Sequence, residues 1–348
     1  MDELYMQRCI ELAASGLGST APNPMVGSVI VYQGKVIGEG YHQQYGQAHA
    51  EVNAINSVAN KELLKESTLY VNLEPCSHFG KTPPCCELIA RMQIPRVVIG
   101  TADPNPLVLG KGIDFLQKAG CQVTIDILKQ HCMELNKRFF TFHKYNRPYI
   151  ILKWAETADG FVDKLRKPEE KPEWITNDQS RILVHKWRTE EQAIMIGTNT
   201  ACMDNPRLNV REWSGKNPTR IVLDNNLRLP RALHIFDGTI PTIVYTSKTD
   251  HPTLKNVQFV TVDFRDDLLA SIMNHLYCSK ILSIIVEGGT QLINSLIRLN
   301  YWDEARVFIG SDYFFKGISA PKLDKMPVFT KSIEGVKLKI FVNNYTTE

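Results

Sequence analysis

The segment VGSVIVYQGKVIGEGYHQQYGQAHAEVNAI, residues 26–55, contains two β-rich runs and then a helical pattern. Gln33 and Gly34 join the two runs, and a short polar turn between such runs predicts a β-hairpin. Apolar residues at helical spacing follow, and they predict a helix over residues 48–58. The segment therefore predicts sheet and helix in direct succession, as in a layered α/β domain.

The alternation of strand and helix continues to about residue 141. We predict strands over residues 68–73, 96–100 and 122–125, helices over 83–92 and 111–118, and an amphipathic helix in LKQHCMELNKRFF, residues 128–140. A new strand begins at Pro148, because proline disfavours a helix that continues through it. The predicted domains are therefore residues 1–145 and 146–348.

The second half of the chain alternates in the same way. Strands are predicted over residues 149–155, 193–196, 219–223, 242–245 and 282–286, and helices over 178–188, 266–277 and 290–299. The charged run DKLRKPEEKPEW, residues 163–174, predicts a mobile solvated loop. Both domains are thus predicted to be of the α/β class.

The composition predicts a soluble globular protein with two domains. The chain has 348 residues, of which 43% are hydrophobic, and its net charge is +3. That charge lacks the basic excess of a dedicated nucleic-acid binder, and no apolar run approaches the roughly 18 residues of a membrane span. Eight cysteines spread over a long chain favour reduced thiols. We therefore expect a cytoplasmic protein without a nucleic-acid or membrane partner.

His49 has two possible metal-binding partners downstream, in PCSHFGKTPPCC, residues 75–86. With Cys76 and Cys85 it offers one imidazole and two thiolates, which leave the fourth tetrahedral position of zinc open for water, as in catalytic sites. Residues two apart on a helix point about 200° away from each other. His49 and Glu51 can therefore converge only on a target that lies beyond the start of their helix.

A second helix start would bring Cys85 to the same metal. Proline fits the first turn of a helix at little cost, so we expect Pro83 and Pro84 in that turn. The helix dipole there would lower the pKa of the Cys85 thiol and favour the thiolate that zinc requires. Glu51 would remain free to carry a proton from the attacking water to the leaving nitrogen in a deamination.

The motifs HAE, PCSHFGKTPPC and DPNP, which begin at residues 49, 75 and 103, and APNPMVG at 21–27 resemble the deaminase domain of the bifunctional riboflavin-biosynthesis deaminase/reductase family. The eight residues between Cys76 and Cys85, where other zinc nucleobase deaminases have two, are typical of this family. The resemblance covers about residues 1–145 and implies a cytidine-deaminase-like three-layer α/β/α domain. It also implies one zinc ion per chain on His49, Cys76 and Cys85, a proton shuttle at Glu51 and a substrate contact at Asn23.

Other interpretations of these residues remain open. Taken alone, His49 and Glu51 are typical of an ordinary helix cap. His78 and Cys86 lie close enough in sequence to compete as ligands. A structural zinc knot would use a fourth protein ligand such as His78 and would tolerate Glu51→Gln. A further alternative is a zinc nucleobase deaminase of single activity, with the C-terminal half as a binding module.

The second half lacks the G-x-G-x-x-G motif of dinucleotide-binding folds. It contains instead IIVEGGTQLINSLI, residues 284–297, in which an apolar strand is followed by Gly288, Gly289 and a helix. The free amides at such a helix start bind phosphate, and the glycines permit its close approach. Because strand, Gly-Gly and helix is a common connection, this signal is weak when taken alone.

Three neighbouring stretches, ILKWAETADG (151–160), WITNDQSRILVHKWR (174–188) and AIMIGTNTACMDNPRLNVR (193–211), resemble the reductase domain of the same family. The match spans about residues 147–330 and implies a dihydrofolate-reductase-like α/β fold that reduces a phosphoribosyl group with NADPH. It implies cofactor contacts at Ala155, Trp174, Thr200, Asp204, Gly289, Thr290, Gln291, Leu292, Ile293, Asn294 and Ser295. It implies substrate contacts at Arg188, Arg207, Leu208, Arg211 and Glu287.

Arginine suits the substrate phosphate because its planar fork donates two parallel hydrogen bonds. A surface salt bridge is the alternative for Arg207. No general acid is evident, and Asp204, Glu287 or a bound water are the candidates. The sequence departs from the family pattern at Phe161, Pro172, Asn205 and Asn209, which leaves substrate contacts in residues 161–174 open.

Together these features predict a bifunctional enzyme of riboflavin biosynthesis. The first site would hydrolyse an amino group from 2,5-diamino-6-(5-phosphoribosylamino)pyrimidin-4-one. The second would reduce the ribosyl group of the product to a ribityl chain with NADPH. The expected partner is this small-molecule substrate, and the family resemblance implies a homo-oligomer.

Overall fold

The hairpin predicted at Gln33 and Gly34 is present, and both residues have the positive φ of a tight hairpin turn, 47° and 75°. The computed structural model describes residues 1–77, 83–167 and 170–343. It divides the chain into two units, Met1–Asn146 and Arg147–Glu348. The predicted boundary lies one residue before this division. In the described ranges, no helix has the length and apolar character needed to cross a membrane.

The first unit is built around a five-stranded sheet with the strand order β2-β1-β3-β4-β5. Strands β1 and β2 form the hairpin, and β3, β4 and β5 run parallel. The strands are β1 Gly27–Tyr32, β2 Lys35–Tyr41, β3 Thr68–Val71, β4 Arg96–Ile99 and β5 Gln122–Thr124. The helices are α1 Asp2–Ala14, α2 Ala50–Ser57, α3 Cys85–Arg91, α4 Lys111–Lys118, α5 Lys129–Leu135 and α6 Lys137–Tyr145, with a 3₁₀ turn at Lys61–Glu66.

Helices cover both faces of this sheet because alternate strand residues point to opposite sides. On one face, Ile30 and Leu69 pack with the apolar side chains of α2, α3 and α4. On the other face, Val29 and Tyr70 pack with α1 and with Cys132 of α5. The unit therefore has three layers, as the resemblance implied.

The single helix predicted over residues 128–140 is wrong, because the chain breaks at Asn136 into α5 and α6. The buried Asn136 amide exchanges two 2.8 Å hydrogen bonds with the backbone of Met25: it accepts from the N–H and donates to the carbonyl. Asparagine side chains compete with the helix for backbone groups in this way. The break ties α6 to the loop that carries Asn23.

The second unit contains a nine-stranded sheet with the order β11-β10-β9-β8-β12-β6-β13-β16-β15. The seven strands from β11 to β13 are parallel, β16 runs antiparallel to β13, and β15 runs antiparallel to β16. The strands are β6 Tyr149–Glu156, β7 Phe161–Asp163, β8 Ala193–Ile196, β9 Thr219–Leu223, β10 Thr242–Thr246, β11 Val257–Thr261, β12 Ser283–Gly288, β13 Glu304–Ile309, β14 Ile318–Ser319, β15 Phe329–Ile333 and β16 Val336–Val342. The helices are α7 Asp178–Glu190, α8 Thr198–Asp204, α9 Leu268–Cys278 and α10 Thr290–Arg298, with a 3₁₀ turn at His234–Phe236.

Two apolar clusters lie on opposite faces of the nine-stranded sheet. Ile150 and Leu152 of β6 pack with α9 and α10 on one face. Tyr149 and Ile151 pack with α7 on the other face. Because the central strands are parallel, their carboxyl ends meet along one edge, where ligands bind in open α/β sheets.

Candidate functional site

His49, Cys76 and Cys85 converge at the starts of two helices in the first unit. His49 is the N-cap of α2, with the extended φ of −75° and ψ of 167°, and Cys85 is the first residue of α3. The Nδ1 atom of His49 lies 3.5 Å from the sulfur of Cys76 and 3.4 Å from that of Cys85. All three ligand atoms lie within 4.8 Å of one another. One nitrogen and two sulfurs at this spacing fit a zinc ion that keeps one open position.

The two helices start later than predicted. Helix α2 begins at Ala50, and α3 begins at Cys85 with Pro84 as its N-cap, so neither proline lies within the first turn. A cap residue has extended backbone, which releases its side chain from the angular spacing of the helix. This explains how His49 and Glu51 face one region although they are two residues apart.

The thiol of Cys85 is paired with that of Cys76, so a lowered pKa is not confined to Cys85 as expected. Hydrogen bonds from Cys85 and His49 lower the pKa of the Cys76 thiol, whereas the hydrogen bond to Cys76, together with burial, raises the pKa of Cys85. The backbone N–H of Cys85 donates to the sulfur of Cys76 at 3.3 Å. The first backbone N–H of α3 thus points at the sulfur of Cys76. The start of this helix therefore favours a thiolate at Cys76.

Cys86 does not join this cluster among the described residues. Its side chain packs in the apolar core of the first unit, and burial raises the pKa of its thiol to about 11. His78, the other possible ligand, lies outside the described residues. The three-residue site thus needs no contribution from Cys86.

Glu51 lies in the first turn of α2 and is only 3% exposed. Burial raises the pKa of its carboxyl, and the charge of the nearby Cys76 raises it further. A buried carboxyl beside a water-activating metal suits proton transfer, because its pKa moves towards neutral pH.

Asn23 belongs to a short chain of hydrogen bonds that ends at Ala48, just before helix α2. The Nδ1–H of His42 donates to the carbonyl of Ala48 at 3.0 Å, and burial lowers the pKa of the imidazole. The Nε2 of a neutral ring protonated at Nδ1 accepts, so the Asn23 amide nitrogen donates to it at 3.2 Å. This arrangement leaves the Asn23 carbonyl oxygen as an acceptor for a donor on the substrate.

No role was assigned to Glu74 or Asp103 from the sequence, although Asp103 begins the DPNP motif. The buried Glu74 carboxylate accepts backbone N–H groups from Asp103, Gly110, Gly112 and Ile113 at 2.9–3.3 Å. It therefore joins the segment before Cys76 to the start of α4. Burial raises the pKa of the neighbouring Asp103 carboxyl to about 7. The letters EPC and DPNP were the available signal, but sequence spacing does not reveal hydrogen bonds across 29–39 residues.

The second unit contains a cavity of about 1530 Å³ along the carboxyl ends of its parallel strands. Typical small-molecule sites measure ~300–1,000 Å³, so this volume suits two ligands side by side. Among the predicted cofactor residues, ten line the cavity: Ala155, Trp174, Thr200, Asp204, Gly289, Thr290, Gln291, Leu292, Ile293 and Ser295. Asn294 lies on the exposed side of α10 and does not line it.

The Gly288–Gly289 turn is packed closely against α8. A Cβ atom on Gly288 would meet the Thr200 side chain at 2.7 Å, and Gly289 has a φ of 81°. Both positions therefore require glycine. The turn brings the amides at the start of α10 to the cavity, where they can bind phosphate.

All five predicted substrate residues of this unit line the cavity: Arg188, Arg207, Leu208, Arg211 and Glu287. The Nε and Nη2 atoms of Arg188 each lie 2.7 Å from the Glu287 carboxylate, and Nη1 donates to the Asn209 carbonyl at 3.0 Å. Arg188 is therefore already engaged in a buried ion pair. Arg207 lines the cavity, and within the described residues it forms no salt bridge.

Lys153 is a further cavity residue that the sequence analysis missed. Its ammonium lies 3.7 Å from Glu287, and burial lowers its pKa. Burial alone would raise the pKa of Glu287, but Arg188 and Lys153 outweigh it and lower that pKa to about 2. The single lysine in the apolar run YIILKWA was the signal that could have identified it.

Two more cavity residues, His185 and Arg181, also escaped the sequence analysis. The Nδ1 atom of the buried His185 accepts the N–H of Arg211 at 3.3 Å, and burial lowers its pKa to about 4. Arg181 lies 5.6 Å from the ring of Trp174 and pairs with Glu212 at 2.7 Å. These contacts orient Arg211 and Trp174 at the cavity wall.

The prediction of a solvated loop over residues 163–174 is wrong for Arg166. Its side chain is only 6% exposed, pairs with Asp163 at 2.8 Å and also bonds Asp204. Asp204 was predicted to contact the cofactor, and its carboxylate has a protein partner in this structure.

Comparisons with known proteins match both units. Residues 1–101 match the cytidine and deoxycytidylate deaminase zinc-binding region, and residues 148–314 match the RibD C-terminal domain. These matches confirm the predicted fold class.

Curated relatives and a solved structure match almost the whole chain. The riboflavin biosynthesis protein RibD of Aquifex aeolicus is 39% identical over 99% of both chains, and that of Escherichia coli is 35% identical over 93% of both. A crystal structure of a Thermotoga maritima diaminohydroxyphosphoribosylaminopyrimidine deaminase/5-amino-6-(5-phosphoribosylamino)uracil reductase is 34% identical, covers 97% of each chain and has a TM-score of 0.88. The chain therefore belongs to the RibD family of riboflavin biosynthesis, with a zinc-binding deaminase domain and a reductase domain.

Proposed function

We propose that the first unit deaminates a diaminohydroxyphosphoribosylaminopyrimidine and that the second reduces 5-amino-6-(5-phosphoribosylamino)uracil, the compounds named for the Thermotoga maritima relative. The observation that carries the first assignment is the convergence of His49, Cys76 and Cys85 beside the buried Glu51. We assign residues 1–145 to the deaminase and 146–348 to the reductase.

In the deaminase, His49, Cys76 and Cys85 would hold zinc, and Asn23 would contact the pyrimidine ring. The zinc ion would act as a Lewis acid that lowers the pKa of water. Glu51 takes a proton from the attacking water and delivers it to the amino nitrogen, which leaves as ammonia. The Asn23 carbonyl oxygen accepts a hydrogen bond from the ring, because His42 already receives its amide N–H.

In the reductase, the cavity takes the phosphoribosyl group and the nicotinamide cofactor together. NADPH, when bound, would supply a hydride for the first ribose carbon, and the bond from that carbon to the ring oxygen would break. Lys153 donates the proton that the ring oxygen then requires, and Glu287 holds the ammonium at the site. Arg207 and Arg211 bind the substrate phosphate. The other predicted contacts that line the cavity, including Arg188, Leu208 and the Gly289 turn, belong to the same two ligands.

We also propose a cytosolic homo-oligomer. All eight cysteines lie in the described ranges as free thiols, which suits a reducing compartment. The mass of the purified protein by light scattering tests the oligomeric state.

The decisive experiment separates the two activities with Glu51→Gln. Ammonia release from the diamino compound and NADPH oxidation with the deaminated compound are measured for the wild type, Glu51→Gln and the exposed control Glu62→Gln. Loss of a proton carrier costs about 10²–10⁴ in rate. We expect Glu51→Gln to lose ammonia release by at least ~100-fold, while its zinc content and its reductase rate stay at wild-type levels.

Normal deamination by Glu51→Gln would show that the carboxylate does not carry the proton. A second experiment removes zinc with a chelator, which should abolish ammonia release and leave NADPH oxidation unchanged. A structural zinc knot predicts instead that the enzyme tolerates Glu51→Gln.

A further inference from the structure

The backbone of Met25, two residues after Asn23, is held by two asparagine side chains from distant parts of the first unit. Asn136 accepts the Met25 N–H and donates to the Met25 carbonyl, both at 2.8 Å. Asn72 donates to the same carbonyl at 3.1 Å. Asn72 is completely buried, and Asn136 is only 2% exposed. Three side-chain hydrogen bonds therefore fix one short stretch of loop backbone.

Asn72 also ties this loop to the segment that leads to a metal ligand. It follows directly after β3, and Cys76 lies four residues further along the chain. Its amide oxygen accepts the N–H of Gly27 at 2.8 Å, so Asn72 bonds the loop at Gly27 as well as at Met25. The backbone after Asn23 is thus held against the chain that enters the metal site.

Asn23 is held by further contacts of its own loop. Its backbone N–H donates to the Thr20 carbonyl at 2.9 Å, and its amide donates to the His42 ring at 3.2 Å. The backbone N–H of His42 in turn donates to the Val26 carbonyl at 2.8 Å. Side chains that are held in place before a ligand arrives lose less entropy when they bind it.

Stability alone does not account for this arrangement. Burial of an amide group costs free energy that its hydrogen bonds largely offset, so a buried asparagine adds little net stability. Asn136 also interrupts a helix, since α5 ends just before it and α6 begins just after it. Departures from local rules of this kind are expected at functional sites. The predicted functional residue beside the clamped backbone is Asn23.

We propose that Asn136 is a positioning residue of the deaminase, which holds the Met25 backbone so that the Asn23 carbonyl oxygen meets the substrate ring beside the metal ligands. This inference rests on the proposed deaminase function. It adds a residue that acts through Asn23 and not on the reacting atoms.

A double-mutant cycle between Asn136 and Asn23 tests this role, because it separates a shared function from two independent effects. The value of kcat/KM for ammonia release is measured with the full zinc-loaded chain for the wild type, Asn23→Ala, Asn136→Ala and the double variant. One hydrogen bond corresponds to about 2- to 13-fold in affinity. We expect each single variant to lose kcat/KM by a factor in this range, and the double variant to lose no more than Asn23→Ala alone.

Ser67→Ala is the matched control in the same unit. The Ser67 hydroxyl is buried and donates to the Leu63 carbonyl at 2.6 Å, so its removal also deletes a buried side-chain hydrogen bond. It should leave kcat/KM unchanged, both in the wild type and in Asn23→Ala. The zinc content and the rate of NADPH oxidation should stay at wild-type levels in every variant.

A second variant covers the case in which Asn136→Ala does not fold. Asn136→Asp keeps the size of the side chain and an acceptor for the Met25 N–H, but it has no amide donor for the Met25 carbonyl. The same cycle is then measured with Asn136→Asp, and the same expectation holds for its double variant with Asn23→Ala.

Equal losses from the Asn136 variant in the wild type and in Asn23→Ala would overturn the proposal, because the effect would then not pass through Asn23. An unchanged kcat/KM in either single variant would also overturn it. In these cases ammonia release by the wild type, and its loss in Glu51→Gln, would still support the deaminase function. If the zinc-loaded wild type released no ammonia, the deaminase function itself would be wrong and the positioning role would fail with it.

Discussion

The buried cluster of Glu287, Arg188 and Lys153 gives the sharpest test of how the reductase cavity is held together. Glu287→Gln keeps the size of the side chain but removes the charge that two cations share. The Glu287 side chain is only 7% exposed and that of Arg188 12%, so water at the cavity wall only partly replaces the lost carboxylate. The variant leaves two buried cations next to each other without a counter-ion.

Two independent considerations give the size of the effect. A carboxyl whose pKa falls from 4.5 to about 2 on folding contributes ~3 kcal/mol to stability at neutral pH. Removal of one partner from a buried ion pair costs ~3–5 kcal/mol. We therefore expect Glu287→Gln to lose ~3 kcal/mol of unfolding free energy, or about 6–12 °C in Tm for a unit of this size.

Tryptophan fluorescence reports on the second unit alone. The five tryptophans all lie beyond residue 146, at positions 154, 174, 187, 213 and 302. Urea unfolding followed by this signal measures the change without interference from the first unit. Glu212→Gln is the matched control, because Glu212 pairs with Arg181 at the same 2.7 Å but is 25% exposed. That more exposed pair contributes less than ~1 kcal/mol.

The dependence on pH adds a second criterion. Because the folded pKa of Glu287 is lowered, its stabilisation is complete above about pH 4.5 and is lost as the pH falls towards 2. The stability difference between wild type and Glu287→Gln should therefore narrow between pH 5 and pH 3. Equal losses in Glu287→Gln and Glu212→Gln at pH 7, or a difference that does not narrow, would refute the reasoning.

Lys153→Met should reduce NADPH oxidation by at least ~100-fold with ammonia release unchanged, because it removes the proton donor and leaves the first unit intact. A near-normal steady-state rate would exclude Lys153 as that donor. Glu74→Gln should cost the first unit ~1–3 kcal/mol in calorimetric unfolding, since an amide oxygen cannot accept four backbone N–H groups as a carboxylate does. The exposed Glu62→Gln is its control, and equal stability of these two variants would contradict this role.

Local sequence patterns predicted the regular elements that form within a few residues of one another. The strands over 193–196 and 219–223 have the predicted limits, and Gln33 and Gly34 form the hairpin turn. Such elements depend on short-range periodicity and turn chemistry, which a sequence displays directly. His49 and the two cysteines also lie together as expected, although both helices begin later than the prolines and the apolar spacing predicted.

Contacts between distant residues could not be predicted. Asn136 breaks a helix by binding Met25, which lies 111 residues earlier, and Arg166 is buried by Asp204, 38 residues later. Lys153 meets Glu287 only because β6 and β12 are neighbours in the sheet. Periodicity describes which face of an element is apolar, but it does not identify the polar group that another element brings to it.

The spacing of His49 and Glu51 shows how a helix start converts an unfavourable pattern into a site. Within a helix, a two-residue separation turns two side chains about 200° apart. His49 is the cap rather than a helical residue, and its extended backbone frees its side chain from that constraint. Glu51, in the first turn, can then face the same metal without serving as a ligand. One residue inserted between them would rotate the carboxylate about 100° around the helix, so the exact spacing matters to the proton transfer more than to zinc binding.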